Sequence, residues 1–181
     1  MKMRKFIIFT FSIIFLASCA VSEERRMVIK ENRYYQCEPS PTIKKKMLKL
    51  INQLRTSSRR CGNKMFPPAG MVRWNERLAA AAMDQARDMA MGDMLSHTGS
   101  DGSSVGGRVE KRGYDWQNVA ENIAAGRQTS EEVVSLWVGS PGHCANLMKR
   151  EIREIGAACS RNPETRYGTY WTLVMAAPLL R

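Results

Sequence analysis

Histidine is scarce in this chain of 181 residues, which contains only His97 and His143. The five cysteines include no C-x-x-C pair, so their spacing excludes a zinc finger. The longest apolar run extends only from Phe6 to Leu16 and is shorter than the roughly 20 residues that a transmembrane helix needs. The length favours one domain over two, since domains usually contain roughly 100 to 200 residues.

The N-terminus has the pattern of an export signal. The first five residues, MKMRK, are basic, and the apolar run that follows them ends just before small residues and Cys19. The sequence LASC resembles the bacterial lipobox, which implies cleavage before Cys19 and lipid on that residue; ordinary secretion with a chance cysteine is the alternative. We predict a lipoprotein signal peptide over 1–18, a lipid-anchored tether over 19–41 and a folded domain over 42–181. The residue after Cys19 is Ala20 and not an aspartate, which favours attachment to the outer membrane if the source is Gram-negative.

Basic residues outnumber acidic ones by 28 to 17. Removal of the signal peptide leaves a net charge of about +8, which attracts anionic surfaces such as phospholipid head groups, acidic wall polymers and lipopolysaccharide. Nucleic acid is not an expected partner of an exported protein. The basic residues are scattered along the sequence, which favours a solvated surface over one binding stripe.

Four cysteines follow the proposed lipidation site, namely Cys37, Cys61, Cys144 and Cys159. An even number in an exported chain predicts disulfides. Four cysteines allow three pairings, and the sequence does not choose between them. We prefer Cys37 with Cys61 and Cys144 with Cys159, because each bond would join neighbouring segments.

Local patterns predict helices in the first three quarters of the chain. Apolar residues recur with helical spacing from Ile43 to Leu54, and Asn75 is placed to cap a second helix. Thr129 and Glu132 form a capping box before VVSLW. In the stretch SPGHCANLM, Ser140 and Pro141 mark a helix start that puts His143 in the first turn, where the helix dipole opposes protonation.

The remaining segments change character. The stretch SHTGSDGSSVGG is predicted to be a loop, with Asp101 in an Asx turn, and RVEKRGY a short turn of helix. EIGAACS and TYWTLVMAAP are apolar runs of strand length that we expect to pair as a hairpin. Helices first and strands last, without βα alternation, predict an α+β fold with helices packed on an antiparallel sheet.

The order SHTGSDG, GY, AENIA, W, SPGH, IGAAC and YWT resembles the CAP superfamily of SCP domains (cysteine-rich secretory protein, antigen 5 and pathogenesis-related 1 type) in its bacterial form, over residues 43–178. This resemblance implies a three-layer α-β-α sandwich with a central antiparallel sheet. It also implies a central cleft that contains His97, His143 and Glu121. A second cleft glutamate of eukaryotic members would fall near Ser140, where this chain has no acid.

Two chemical interpretations of the cleft stay open. His97, His143 and Glu121 are a suitable metal set for Zn2+, with an open position for water. Alternatively, His97, Glu121 and Asn122 form a structural hydrogen-bonded network. A catalytic Cys144–His143 pair is disfavoured, because adjacent residues of a helix point about 100° apart and Cys144 is expected in a disulfide.

Aromatic residues offer another candidate site. Some eukaryotic members of the family bind sterols or fatty acids, and Trp74, Trp137, Tyr170 and Trp171 would line such a groove. Core packing is the stronger interpretation of these side chains.

The sequence therefore predicts an envelope lipoprotein whose single domain binds a lipid, a wall glycan or a protein partner. The predicted ligand-binding cleft comprises His97, Glu121, Asn122, Ser140 and His143. The alternative is a zinc-dependent hydrolase acting at the cell envelope. The sequence does not decide whether the protein is an enzyme.

Overall fold

The computed structural model describes residues 25–26 and 36–180. The predicted signal peptide, Cys19 and most of the predicted tether lie outside the described residues. No helix within the described ranges is long and apolar enough to cross a membrane. The elements in chain order are α1 (Ser40–Arg55), β1 (Arg59–Cys61), β2 (Lys64–Phe66), β3 (Arg73–Trp74), α2 (Glu76–Gly92), α3 (Val105–Lys111), β4 (Trp116–Ala125), α4 (Ser130–Gly139), α5 (Pro141–Met148), β5 (Glu154–Arg161) and β6 (Thr169–Pro178).

The helix starts follow the predicted capping signals. The Asn75 side chain accepts hydrogen bonds from the backbone N–H groups of Arg77 and Leu78 at the start of α2. Thr129 and Glu132 form both bonds of the capping box at α4. The short helix expected in RVEKRGY is present as α3, but it begins at Val105, inside the predicted loop, and ends at Lys111.

The main sheet has the strand order β3-β5-β6-β4. The predicted hairpin is confirmed, with β5 and β6 antiparallel from Glu154 opposite Ala176 to Arg161 opposite Thr169. β4 pairs with the other side of β6, also antiparallel, and forms one edge of the described sheet. The short β3 pairs with β5 in parallel, so the sheet is antiparallel except at this opposite edge.

The two faces of the sheet are covered by different helices. Ile155 and Leu173 pack in one cluster with Met47 of α1, whereas Ala158 and Val174 pack in another with Leu78 of α2. This alternation along the strands produces the expected α-β-α sandwich. α2 lies so close to β5 that a Cβ atom on Gly156 would be 2.0 Å from the backbone nitrogen of Ala79.

The aromatic residues considered for an apolar groove belong mostly to the core. Trp137, Tyr170 and Trp171 are each 0% exposed. The indole N–H of Trp137 donates to the carbonyl of Ile123, and that of Trp171 donates to the carbonyl of Arg127. The core-packing interpretation is therefore confirmed for these three side chains.

The preferred disulfide pairing is wrong. The bonds join Cys37 to Cys159 and Cys61 to Cys144, with Cα–Cα distances of 5.7 and 5.5 Å. Cys37 precedes α1 and Cys61 follows it, and a helix of 16 residues is about 24 Å long. Neighbours along the sequence are thereby held apart, while α5 packs against β1 and brings Cys144 to Cys61.

The described residues from Cys37 to Pro41 contact the domain. Glu38 accepts hydrogen bonds from the backbone N–H and hydroxyl of Ser130, at 2.9 and 2.5 Å, and from the ammonium group of Lys46. α1 begins at Ser40, two residues before the predicted domain boundary. Residues 37–41 are thus attached to the sandwich by a covalent bond and by an acid.

Arg55 fastens one end of the domain. Its guanidinium is buried and donates to the carbonyls of Gly70 at 2.6 Å, Leu147 at 2.7 Å and Ile152 at 3.2 Å. Burial lowers the pKa of Arg55 to about 10, and the charge of Arg153 adds to this effect, so the side chain is still charged at neutral pH. It joins the end of α1, the loop before β3 and the segment after α5.

Candidate functional site

The predicted cleft residues are organised by strand β4. Glu121 lies opposite Val174 and Asn122 lies opposite Leu173 on β6. Successive side chains of a strand point to opposite faces, so Glu121 faces the α2 side of the sheet and Asn122 faces the side of α1, α4 and α5. Each of these two residues is bonded to a different histidine.

Glu121 is the centre of a buried ionic network. One carboxylate oxygen is 2.7 Å from a terminal guanidinium nitrogen of Arg108, and the other is 2.9 Å from Nδ1 of His97. The side chains of Glu121 and Arg108 are only 2% and 5% exposed. Arg108 also donates to the carbonyls of Ser103 and His97, so the acid, the cation and the loop form one unit.

This network fixes the state of His97. Because a carboxylate only accepts hydrogen bonds, Nδ1 of His97 carries the proton, and Nε2 is left for another partner. The His97 side chain is 57% exposed. His97 is therefore held in one tautomer and presented to solvent.

The loop that contains His97 is fastened to α2. The Gln85 amide donates to the carbonyl of Ser96 at 2.6 Å, and Asp88 accepts from the backbone N–H of Ser100 at 2.7 Å. Asp101 accepts from the N–H of Ser103 at 2.9 Å, which is the expected Asx turn. A loop rich in serine and glycine thus has a defined shape.

His143 is held by different chemistry on the other face. It occupies the first turn of α5, as predicted. The Asn122 amide donates to its carbonyl at 3.1 Å, and the Asn146 amide donates to the Asn122 side-chain oxygen at 2.9 Å. Within residues 36–180, Nδ1 of His143 is buried without a hydrogen-bond partner.

The environment favours a neutral His143. Burial lowers the pKa of His143 below its ordinary value of 6.5, and electrostatic repulsion between the two imidazoles, when both are protonated, lowers it further. The first turn of α5 acts in the same direction, since a helix N-terminus opposes a cation. This agrees with the expectation from the sequence.

Ser140 is the N-cap residue of α5, but its hydroxyl makes no capping bond. Its carbonyl instead accepts from the N–H of Cys144 at 2.8 Å. Ser140 lines a depression of about 560 Å³ together with Arg127, Glu132 and Leu136, and His97, Glu121 and His143 are not among the residues that line it. The helix therefore starts where Ser140 and Pro141 predict it, although the Ser140 hydroxyl does not cap it, and Ser140 lies beside a second surface feature.

Sequence reasoning missed Arg108 and Asn146. Arg108 is 4% exposed although its sequence context, SVGGRVEK, was interpreted only as a loop and a turn of helix. Two features of the sequence could have indicated a buried role for Arg108. It lies next to Val109 in a segment predicted to be helical, and AENIA contains Glu121 as a possible acidic partner. Asn146 follows His143 by three residues, a spacing that puts both on one helix face.

The structure does not supply the third protein ligand of the predicted zinc set. Both carboxylate oxygens of Glu121 already have partners, His97 and Arg108, so this acid is not free to bind a metal ion. No group of three His, Cys, Asp or Glu side chains in the described part of the chain is placed to hold a metal ion. A catalytic zinc site has three protein ligands and a water, whereas the fold offers two imidazoles and a carboxylate committed to Arg108.

Two potential nucleophiles that are adjacent to histidines in the sequence have structural roles. Cys144 forms the disulfide with Cys61 and has no free thiol. The Ser96 hydroxyl donates to the carbonyl of Thr98 at 2.9 Å. The interpretation of Cys144 as a structural residue is confirmed.

Comparison with known proteins agrees with this architecture. YkwD of Bacillus subtilis, an uncharacterized protein, is 29% identical over 98 residues, which are 54% of this chain and 36% of YkwD. The chain spans about a third of the length of the curated relatives that it matches.

Solved structures show the same fold. An extracellular protein containing a SCP domain from Bacillus anthracis has a TM-score of 0.61 at 20% identity, with 76% of this chain and 41% of that chain covered. An outer surface protein from Borrelia burgdorferi has a TM-score of 0.63 at 17% identity, with 80% and 99% covered. The model of the cysteine-rich secretory protein family, CAP, matches residues 48–175. Because this match spans most of the sandwich and its cleft, the chain belongs to the CAP family of cysteine-rich secretory proteins.

Proposed function

We propose that this protein is an exported, lipid-anchored envelope protein whose CAP domain is a binding module for a lipid, a wall component or a protein partner. The N-terminal pattern supports export and lipid attachment at Cys19. The two disulfides support an oxidising compartment outside the cytosol. The similar proteins from Bacillus anthracis and Borrelia burgdorferi are extracellular and outer surface proteins.

The occupied carboxylate of Glu121 is the observation that favours binding over hydrolysis. A general base must reach the proton that it removes, directly or through one water. Glu121 instead has a side chain only 2% exposed and bonds to Arg108 and His97 through both oxygens. It acts as a fixed counterion that orients His97.

An oriented imidazole suits recognition of a polar group. His97 offers Nε2 to solvent in a fixed tautomer, so little freedom is lost when a ligand forms a hydrogen bond there. His143 lies close enough for its pKa to respond to His97. We propose that both imidazoles contact one ligand, with a polar group of the ligand between them.

The test is capture of envelope components by the immobilised mature chain, beside a His97→Ala/His143→Ala variant. We expect lipids or glycans identified by mass spectrometry to be enriched roughly tenfold on the wild type, the effect of about one charge-assisted hydrogen bond. An Arg87→Ala variant, changed on the exposed face of α2, is the matched control and should capture the same components. Equal capture by wild type and double variant would rule out the cleft as the binding site.

Lipid attachment is tested separately by Cys19→Ser. Cells that express the wild type should incorporate labelled palmitate into the protein and retain it in the membrane fraction. The Cys19→Ser protein should lose the label and should leave that fraction when the membranes are washed with salt, which screens contacts between surface charges and lipid head groups. Wild-type protein without label, found in the medium, would instead indicate ordinary secretion.

A further inference from the structure

One end of the domain combines two segments that are far apart in sequence. Residues 64–67 of the β1–β2 hairpin and residues 145–151 line a groove of about 460 Å³. Gly70, Arg150, Glu151 and Arg153 line an adjoining depression of about 400 Å³. We call residues 59–73 and 149–153 the basic end; Arg55 bonds to carbonyls of both segments and holds them together.

The basic end accounts for the whole net charge of the domain. Residues 36–180 contain 20 basic and 14 acidic residues. Seven of the basic residues and one acid, Glu151, belong to the basic end, so the rest of these residues is balanced at 13 against 13. The seven basic residues are Arg59, Arg60, Lys64, Arg73, Lys149, Arg150 and Arg153. Charge that is scattered along the sequence is thus concentrated by folding.

Exposed apolar side chains lie within this charged region. Met65 is 53% exposed and Met71 is 71% exposed. Met65 is the cross-strand partner of Arg60, and Lys64 lies over the ring of Phe66 at 5.1 Å from its centre. Exposed apolar side chains interspersed with Lys and Arg are typical of surfaces that lie in the head-group region of a membrane.

We propose that the basic end docks on an anionic phospholipid bilayer, with its Lys and Arg side chains on the head-group phosphates and Met65 and Met71 in the acyl boundary. Charge complementarity selects an anionic partner. The exposed methionines select a bilayer over a soluble polyanion, which offers them no apolar region. This contact is additional to the cleft and to the proposed lipid anchor.

The docked surface lies next to the candidate binding cleft. Asn146 lines the groove of the basic end and also donates to the side chain of Asn122. Asn122 in turn bonds to the carbonyl of His143. Docking would therefore bring the His143 side of the cleft close to the membrane.

The experiment uses the chain from residue 19 onward with Cys19→Ser, which removes the lipid anchor and keeps every described residue. Its sedimentation is measured with vesicles of phosphatidylcholine alone and of phosphatidylcholine mixed with phosphatidylglycerol. We expect binding roughly tenfold or more tighter to the anionic vesicles, and lost on addition of salt. Equal binding to both vesicles, or none, would overturn the proposal.

Charge reversal locates the surface. The triple variant Lys64→Glu, Lys149→Glu, Arg150→Glu should lose roughly tenfold or more of the binding to anionic vesicles. The matched control Lys45→Glu, Lys49→Glu, Arg87→Glu changes the net charge equally at exposed positions outside the basic end and should keep most of the binding. Equal losses would show that net charge, and not this end, causes the binding.

The methionines separate a bilayer from an acidic polymer. Met65→Ser/Met71→Ser should weaken binding to anionic vesicles several-fold and leave binding to dextran sulfate unchanged. Unchanged vesicle binding in this variant, with dextran sulfate bound as tightly as vesicles, would assign the basic end to acidic polymers and overturn the membrane proposal. Circular dichroism and thermal midpoints equal to those of wild type check that each variant is folded.

Discussion

The two faces of strand β4 hold their histidines in opposite ways. On the α2 side, a buried ion pair of Glu121 and Arg108 fixes the ring of His97 itself. On the α5 side, neutral amides of Asn122 and Asn146 hold the backbone of His143 and leave its ring nitrogen Nδ1 unpaired. One histidine is thus positioned through its side chain and the other through its helix, so the two sides should differ in stability and in their response to pH.

The largest effect is expected from breaking the ion pair. Arg108→Met leaves the buried Glu121 carboxylate without its cation and should lower the free energy of unfolding by about 3–5 kcal/mol. Arg112→Met removes an exposed ion pair with Asp84 and should cost less than about 1 kcal/mol. Urea unfolding of both variants measures this, and equal losses would contradict the central place given to Arg108.

The α5 side depends on a covalent bond instead. Removal of the disulfide by Cys61→Ala/Cys144→Ala should lower the free energy of unfolding by about 2–5 kcal/mol. Amide exchange should accelerate in α5 and stay slow in α2, because Cys144 belongs to α5. Cys37→Ala/Cys159→Ala is the comparison variant. If amide exchange in α5 is accelerated equally in this variant, the bond between Cys61 and Cys144 has no specific role in holding α5.

A smaller effect is expected from the amide that bonds to His143. Asn122 is 0% exposed, so Asn122→Ala should remove the amide that donates to the His143 carbonyl and the oxygen that accepts from Asn146, and cost about 1–3 kcal/mol. Gln117→Ala, an exposed change on the same strand, should stay within about 0.5 kcal/mol of wild type. Thermal unfolding measures the stability of both variants. If Asn122→Ala is as stable as wild type, the amide contacts do not hold α5.

The pH response that His143 contributes should be the smallest effect. The pKa of His143 in the folded state lies below its ordinary value of 6.5, so the unfolded chain binds more protons between these two values. This contribution to stability is therefore present above pH 6.5 and is lost as the pH falls through the folded pKa. Unfolding measured from about pH 8 to about pH 5 should show a shallower decline in His143→Gln than in wild type.

His97→Gln provides a sharper version of this test. Burial is the larger cause of the lowered pKa of His143, and the charge of His97 is the smaller one. Loss of His97 should raise the pKa of His143, measured by NMR titration of the imidazole, but not restore it to 6.5. An unchanged pKa of His143 would mean that the two histidines do not interact electrostatically.

Local features were predictable from the sequence because they depend on neighbouring residues. The caps at Asn75 and Thr129, the start of α5 and the β5–β6 hairpin all follow from patterns within a few residues. β4 was not predicted as a strand, because Glu121 and Asn122 are buried on opposite faces and remove the usual alternation.

Contacts between residues that are far apart in the sequence were harder to predict. The disulfide partners are 122 and 83 residues apart in sequence. The predicted zinc ligand Glu121 is engaged by an arginine that belongs to no recognised motif, and this depends on how α3 packs against β4. The resemblance to the family identified the cleft residues, but not the partner that occupies their carboxylate.

The bond between Cys37 and Cys159 also has a mechanical consequence. A force applied to the chain ahead of Cys37 passes through this bond directly into β5, a central strand of the sheet. α1, which follows Cys37 in sequence, is bypassed and is not unwound by the pull. The attachment point of the domain is therefore its sheet, so a tethered molecule would withstand tension until the strands themselves separate.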